Sequence, residues 1–150
     1  GALIVSVVPQ PGAAEPYRAE VVRRLTPEEF GSTQHTPVLY ENRLYGFRQQ
    51  DRQFACLDIN GDVLWSSGRT VRFGDADGPY IIADGLIFLL DGKRATLTMA
   101  EATPDGYRPL GSCQPLAGHD AWGPMTLVEG RLILRDLTRM TCLDITASNE

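Results

Sequence analysis

Three prolines, Pro37, Pro79 and Pro124, stand 42 and 45 residues apart, and each opens the same succession of short segments. After the proline comes an apolar run, then a turn marked by Asn42, Gly85 or Gly130. A second apolar run follows, beginning Arg-Leu or Leu-Ile, then a polar loop and a third run: Phe54 to Ile59, Ala95 to Ala102, and Met140 to Ile145. A self-similar period of roughly 40–50 residues marks a repeat architecture, in which no unit buries its apolar face alone and neighbours must stack. The runs are short, β-branched or aromatic, and punctuated by Gly, Asn and Pro, so the repeating element is the strand.

The first copy continues through Asn60-Gly61 into Val63-Leu64-Trp65, and Asn-Gly between two apolar runs predicts a type I′ hairpin because both residues accept positive φ. In the second copy the matching fourth strand is expected at Tyr107 to Leu110, after Pro104-Asp105-Gly106. The third copy stops before a fourth strand. Upstream, Leu3 to Val8 ends in the breaker run Pro9-Gln10-Pro11-Gly12 and reads as a strand. Tyr17 to Leu25 reads as an edge strand, with a short helix as the alternative. Thr26-Pro27-Glu28-Glu29-Phe30 carries the cap and first-turn residues of a single helical turn.

Four antiparallel strands per repeat of about 40–45 residues is the requirement of a β-propeller blade, since solenoid repeats of that length are mostly helical. The expectation is therefore an all-β chain forming a partial β-propeller of about three to three and a half blades. Its parts would be the end of a blade (1–25), two blades (36–73 and 78–115) and an incomplete blade (123–146).

Composition removes several classes of function. A net charge of −5, with 14 Lys and Arg spread along 150 residues, gives no basic stripe for nucleic acid. The longest apolar runs, Tyr80 to Ala83 and Leu86 to Leu90, are far short of the roughly 20 residues of a spanning helix. Gly1 to Val8 lacks the basic start and cleavage site of a signal peptide, so an internal or processed start is expected. Cys56, Cys113 and Cys142 are too irregular for a disulfide scaffold or a zinc site. Cys56 and Cys142 hold the same position in two copies, where a small core residue is expected.

The segment Cys56-Leu57-Asp58-Ile59-Asn60-Gly61-Asp62-Val63-Leu64-Trp65 resembles the tryptophan-docking motif, Ala-x-Asp-x-x-Thr-Gly-Lys-x-x-Trp, of the pyrroloquinoline-quinone-type propeller repeat, with a turn one residue shorter. Phe30 to Pro37 and Ala121-Trp122-Gly123-Pro124 look like segments of bacterial, especially planctomycete, members of that repeat class. The resemblance implies that Trp65 packs between blades, with Asp58 and Gly61 shaping the turn before it and Tyr107 nearest the Trp65 position in the second copy. In the quinoprotein alcohol dehydrogenases of the family the quinone lies between a Trp floor and a vicinal disulfide, with calcium held by acidic and amide side chains. This chain has no adjacent cysteines. The resemblance therefore points to the cofactor-free scaffold members, which are extracytoplasmic.

On a rigid scaffold, binding gathers in loops. The loops entering each repeat carry Gln34 and His35, Asp75 and Asp77, then His119, Asp120 and Trp122, a candidate ligand-binding rim. Imidazole and carboxylate suit a metal or a shared proton. The spacing matches no ligand signature, and hydrogen bonds within turns account for the same residues. Loops between second and third strands repeat an acid with an Arg: Asp51 and Arg52, Asp91 and Arg94, Asp136 and Arg139. These are a charged ring for an anionic or peptide ligand, or ion pairs repeated with the blade. Asp58, Glu101 and Asp144 track the repeat as turn acceptors. No nucleophile elbow and no phosphate-cradling loop appears.

The expectation is a non-enzymatic binding or scaffold segment of a periplasmic or otherwise extracytoplasmic bacterial protein, with no catalytic residues, no metal and no cofactor. Its unpaired blades would be completed by another protein chain or by further blades of the same protein. The alternatives are part of a quinoprotein-like oxidoreductase using pyrroloquinoline quinone and calcium, or a metal-dependent enzyme built on His35 and His119.

Overall fold

A computed structural model of the chain describes residues 1–32, 34–68, 71, 73 and 78–146. Among these residues the secondary structure is all β, in four antiparallel sheets with no helix. The first sheet pairs β1 (Ala2–Pro9) with β2 (Tyr17–Leu25). The second holds β3 (Val38–Tyr40), β4 (Arg43–Arg48), β5 (Gln53–Asp58) and β6 (Val63–Ser66). The third holds β7 (Tyr80–Ala83), β8 (Leu86–Leu90), β9 (Leu97–Glu101) and β10 (Pro109–Cys113). The fourth holds β11 (Thr126–Val128), β12 (Arg131–Arg135) and β13 (Met140–Asp144). Each strand pairs with its successor, so every sheet is a meander.

The same two-residue turn opens the last three sheets. Glu41-Asn42, Asp84-Gly85 and Glu129-Gly130 all have positive φ at both positions, the type I′ shape whose twist matches that of paired strands. The turn at Asn60-Gly61 differs from the expected one, since only Gly61 takes positive φ (90°) and four residues separate β5 from β6. Asp58 causes the difference. Its carboxylate accepts the amides of Asn60 and Asp62, both at 2.9 Å, and its carbonyl accepts the Gly61 amide at 3.1 Å. The loop is thereby a tight turn closed by a left-handed glycine.

Thr26 to Phe30 forms one hydrogen-bonded turn that does not extend into a helix. The Thr26 amide donates to the Glu29 carboxylate at 2.8 Å and the Glu29 amide to Thr26 Oγ1 at 3.3 Å, a capping box. The fourth strand of the third sheet runs Pro109–Cys113, not from Tyr107 to Leu110.

The four sheets pack face to face in chain order, because strand alternation sends successive side chains to opposite neighbours. From the second sheet, Ala55, Leu57 and Leu44 meet Leu25, Ile4 and Ala2 of the first sheet and Phe30 beside it. Its opposite face sends Tyr45, Phe47, Phe54, Cys56 and Trp65 against Ile87, Leu89 and Tyr80 of the third. The third sheet's far face, with Phe88, Leu90 and Leu97, packs on Leu132, Leu134 and Met125. The three cores join neighbours only, and no closed sheet or ring forms among the described residues.

Cys142 departs from the expectation of a core residue. It pairs with Ile133 as Cys56 pairs with Tyr45, but it is exposed whereas Cys56 is fully buried. The reason is positional: this face of the fourth sheet has no described sheet packed on it.

Candidate functional site

Gln34 and His35 line a cleft of about 280 Å³ with Phe30, Ser32, Thr36 and Pro37. The His35 amide donates to Ser32 Oγ at 3.2 Å, and its ring stands edge-on to Tyr80 with centroids 6.2 Å apart. Burial raises the pKa of Tyr80 and keeps it a neutral donor. Its hydroxyl donates to the Thr36 carbonyl at 2.8 Å and lies 3.1 Å from the Tyr45 carbonyl. His35, Thr36, Pro79, Tyr80, Pro124 and Met125 also meet around a smaller cleft of about 170 Å³. The entries to β3, β7 and β11 therefore converge at one edge of the stack.

His119 is not among the residues lining that edge cleft. Its Nδ1 is 2.5 Å from Asp120 Oδ2, an exposed neighbouring pair, and Asp120 has positive φ (59°). Trp122 is largely exposed. Among the described residues, neither cleft that includes His35 draws on His119, Asp120 or Trp122. Asp75 and Asp77 lie outside the described residues. Among the described residues no group of three or more His, Cys, Asp and Glu side chains is placed to hold a metal ion.

The charged loops direct their acids into their own turns. Asp91 is 4% exposed and accepts the amides of Lys93 and Arg94, both at 2.9 Å, with the Arg94 guanidinium at 4.0 Å. Asp136 is 3% exposed and accepts Thr138 N at 2.7 Å, Thr138 Oγ1 at 3.0 Å, Arg139 N at 2.8 Å and Gly118 N at 3.1 Å. The Thr138 amide foremost, with Arg139 and Gly118, holds its carboxyl below the ordinary aspartate range despite burial. Asp51 pairs with Arg48 at 3.1 Å. The Arg52 backbone, at φ 60°, donates to the Arg48 carbonyl and accepts the Phe73 amide, both at 2.9 Å. The arginines Arg52, Arg94 and Arg139 are exposed.

Trp65 and Gly61 sit between sheets, while Asp58 bonds within its own turn. Trp65 Nε1 donates to the Thr103 carbonyl at 2.7 Å, and its ring lies 6.1 Å from that of Tyr45 and 5.9 Å from that of Tyr107. Tyr107 is thus a neighbour of Trp65 and not its counterpart. A Cβ on Gly61 would fall 2.7 Å from Ile4 Cδ1, so the glycine admits the first sheet. Beside it, Arg23 ties the sheets together through Asp62 at 2.6 Å.

A further concavity lies away from every candidate loop singled out in the sequence. It measures about 780 Å³ and opens between the third and fourth sheets, with Leu86, Phe88 and Met99 on one wall and Leu127, Ile145 and Thr146 on the other. Asp84 and Glu129 stand at its edge. No family model matches this chain, and no curated protein matches it.

Proposed function

We propose that the chain is a non-enzymatic segment of a β-propeller, a scaffold whose end sheets pack against further blades or another protein chain, in an extracytoplasmic bacterial protein. One observation carries the reading. The uncovered face of the fourth sheet bears Val128, Ile133, Met140 and Cys142, and the register makes them counterparts of Tyr40, Tyr45, Phe54 and Cys56. Those four residues of the second sheet build or adjoin the core shared with the third. The fourth sheet thus repeats much of a core-forming face, with Arg135 in the place of Phe47, yet Met140 is 72% exposed and Val128 49%.

The opposite end supports the same reading. On the outward face of the first sheet Leu3, Val5, Val7, Tyr17 and Val21 are between 45% and 65% exposed, and β1–β2 pairing sets them side by side. Contiguous apolar surface of this kind marks an interaction face. A radial arrangement of blades is further favoured by the convergence of β3, β7 and β11 at one edge. The extracytoplasmic setting rests on the resemblance of the Asp58 to Trp65 motif.

Light scattering on the isolated chain tests the proposal. Self-association above the 16.5 kDa monomer is expected, reversed by pairing Val5→Asp with Met140→Asp. A wild-type chain that stays monomeric and does not bind a hydrophobic dye overturns it. So does calcium-dependent dye reduction in the presence of pyrroloquinoline quinone.

A further inference from the structure

We infer that the cleft between the third and fourth sheets is a binding site for an indole-bearing amine. The junction between the second and third sheets is the same kind of junction with its occupant in place. In both, the carbonyl of the turn glycine accepts the amide of the first residue after the third strand: Gly85 from Ala102 and Gly130 from Ile145, both at 2.8 Å. With that anchor, Ile82 corresponds to Leu127, Ala102 to Ile145 and Thr103 to Thr146. On the facing wall, Tyr45 pairs with Cys56 as Phe88 pairs with Met99, and Tyr40 pairs with Arg43 as Ala83 pairs with Leu86.

The fourth strands fix the remaining correspondence. In β6, Trp65 pairs with Cys56 and Val63 with Leu57, so Leu64 bulges. In β10, Gly111 pairs with Met99 and Pro109 with Ala100, so Leu110 bulges. Gly111 therefore stands where Trp65 stands, and a Cβ there meets nothing within 4 Å. At the earlier junction the indole of Trp65 donates to Thr103 and the hydroxyl of Tyr40 accepts the Gly85 amide at 3.0 Å. At the later one these two rings are replaced by Gly111 and Ala83, and both Ala83 and Met99, the strand partner of Gly111, line the 780 Å³ cleft.

The vacated space defines its ligand. Its walls are apolar, its volume falls in the roughly 300–1,000 Å³ range of small-molecule sites, and a room lined by apolar side chains accepts an aromatic guest. Thr146, which lines the cleft, is the counterpart of Thr103, whose carbonyl takes the Trp65 indole N–H at the earlier junction. Asp84 and Glu129 line the edge of the cleft with two carboxylates, which favours a cationic tail. This rests on the register of two junctions and not on closure of a ring.

Tryptamine titrated into the 150-residue chain by calorimetry tests it, with methyl resonances as a second readout. Saturable binding is expected, with shifts centred on Met99, Leu127 and Ile145. Indole-3-acetate, which has the same ring and an anionic tail, should bind roughly tenfold more weakly. Gly111→Trp places an indole in the cleft and should weaken tryptamine by about tenfold or more while the thermal midpoint holds or rises. Ala83→Tyr restores the other ring and gives the same loss if Gly111→Trp does not fold. Absence of saturation into the millimolar range, shifts centred elsewhere, equal affinity for the two tails, or unchanged binding in a folded variant each overturn the inference.

Discussion

Two side chains show how single residues set the strength of the stack. Trp65 closes the junction between the second and third sheets with both its ring and its donor. Trp65→Phe retains most of the ring and strands the Thr103 carbonyl, which should cost about 1–3 kcal/mol in denaturant unfolding. Trp65→Ala also opens a cavity and should cost about 3–5 kcal/mol. Asp136 acts through charge. Its folded pKa is depressed, so its contribution is complete above the ordinary aspartate value of about 3.9 and is lost as pH falls through the lower folded value. Asp58, Asp144, Glu28 and Glu29 share the sign. The expected outcome is a wild-type midpoint that drops in acid, and a deficit of Asp136→Asn at neutral pH that shrinks as the pH is lowered.

At the scale of the element, the strands were legible because each is short and bounded by turn residues of known backbone demand, as at Glu41-Asn42 and Glu129-Gly130. Errors arose where a neighbour decides. Tyr107 lies nearest the Trp65 position in the second copy by the motif, yet the Leu64 and Leu110 bulges put Gly111 in that place, and a missing ring leaves no residue to notice. Cys142 holds a core position of the repeat, but burial depends on a sheet outside its own strand pairings. Close approach between elements is likewise invisible in sequence. A Cβ on Gly78 would fall 1.7 Å from the Leu90 carbonyl oxygen and 2.6 Å from the Gly92 amide nitrogen, backbone atoms that a rotamer change does not move. Gly78→Ala should therefore cost more than about 3 kcal/mol. Gly111→Ala, facing open space, should change the thermal midpoint little.

For the whole molecule, the three cores differ in kind. The junction between the second and third sheets is aromatic, with Tyr45, Phe47, Phe54, Trp65 and Phe73 in one cluster, while those on either side are mostly aliphatic. Hydrogen exchange should find the amides of β4, β5 and β8 slowest and those of β1, β2 and β13 fastest, because the outer sheets are covered on one face only. Uniform protection across the four sheets would contradict that order. The candidate rim was the least legible part, since its loops meet only through the stacking of sheets, and Asp75 and Asp77 fall outside the described residues. The meander has a consequence for how the chain is made. Within each sheet the strands pair only with their neighbours in sequence, whereas contacts between sheets, such as Tyr80 to Thr36, join residues 44 positions apart. During synthesis each sheet can complete its backbone pairing before the next leaves the ribosome, and no strand waits for a later partner. Docking of sheet on sheet, which joins residues far apart in the chain, is then expected to be the slow event.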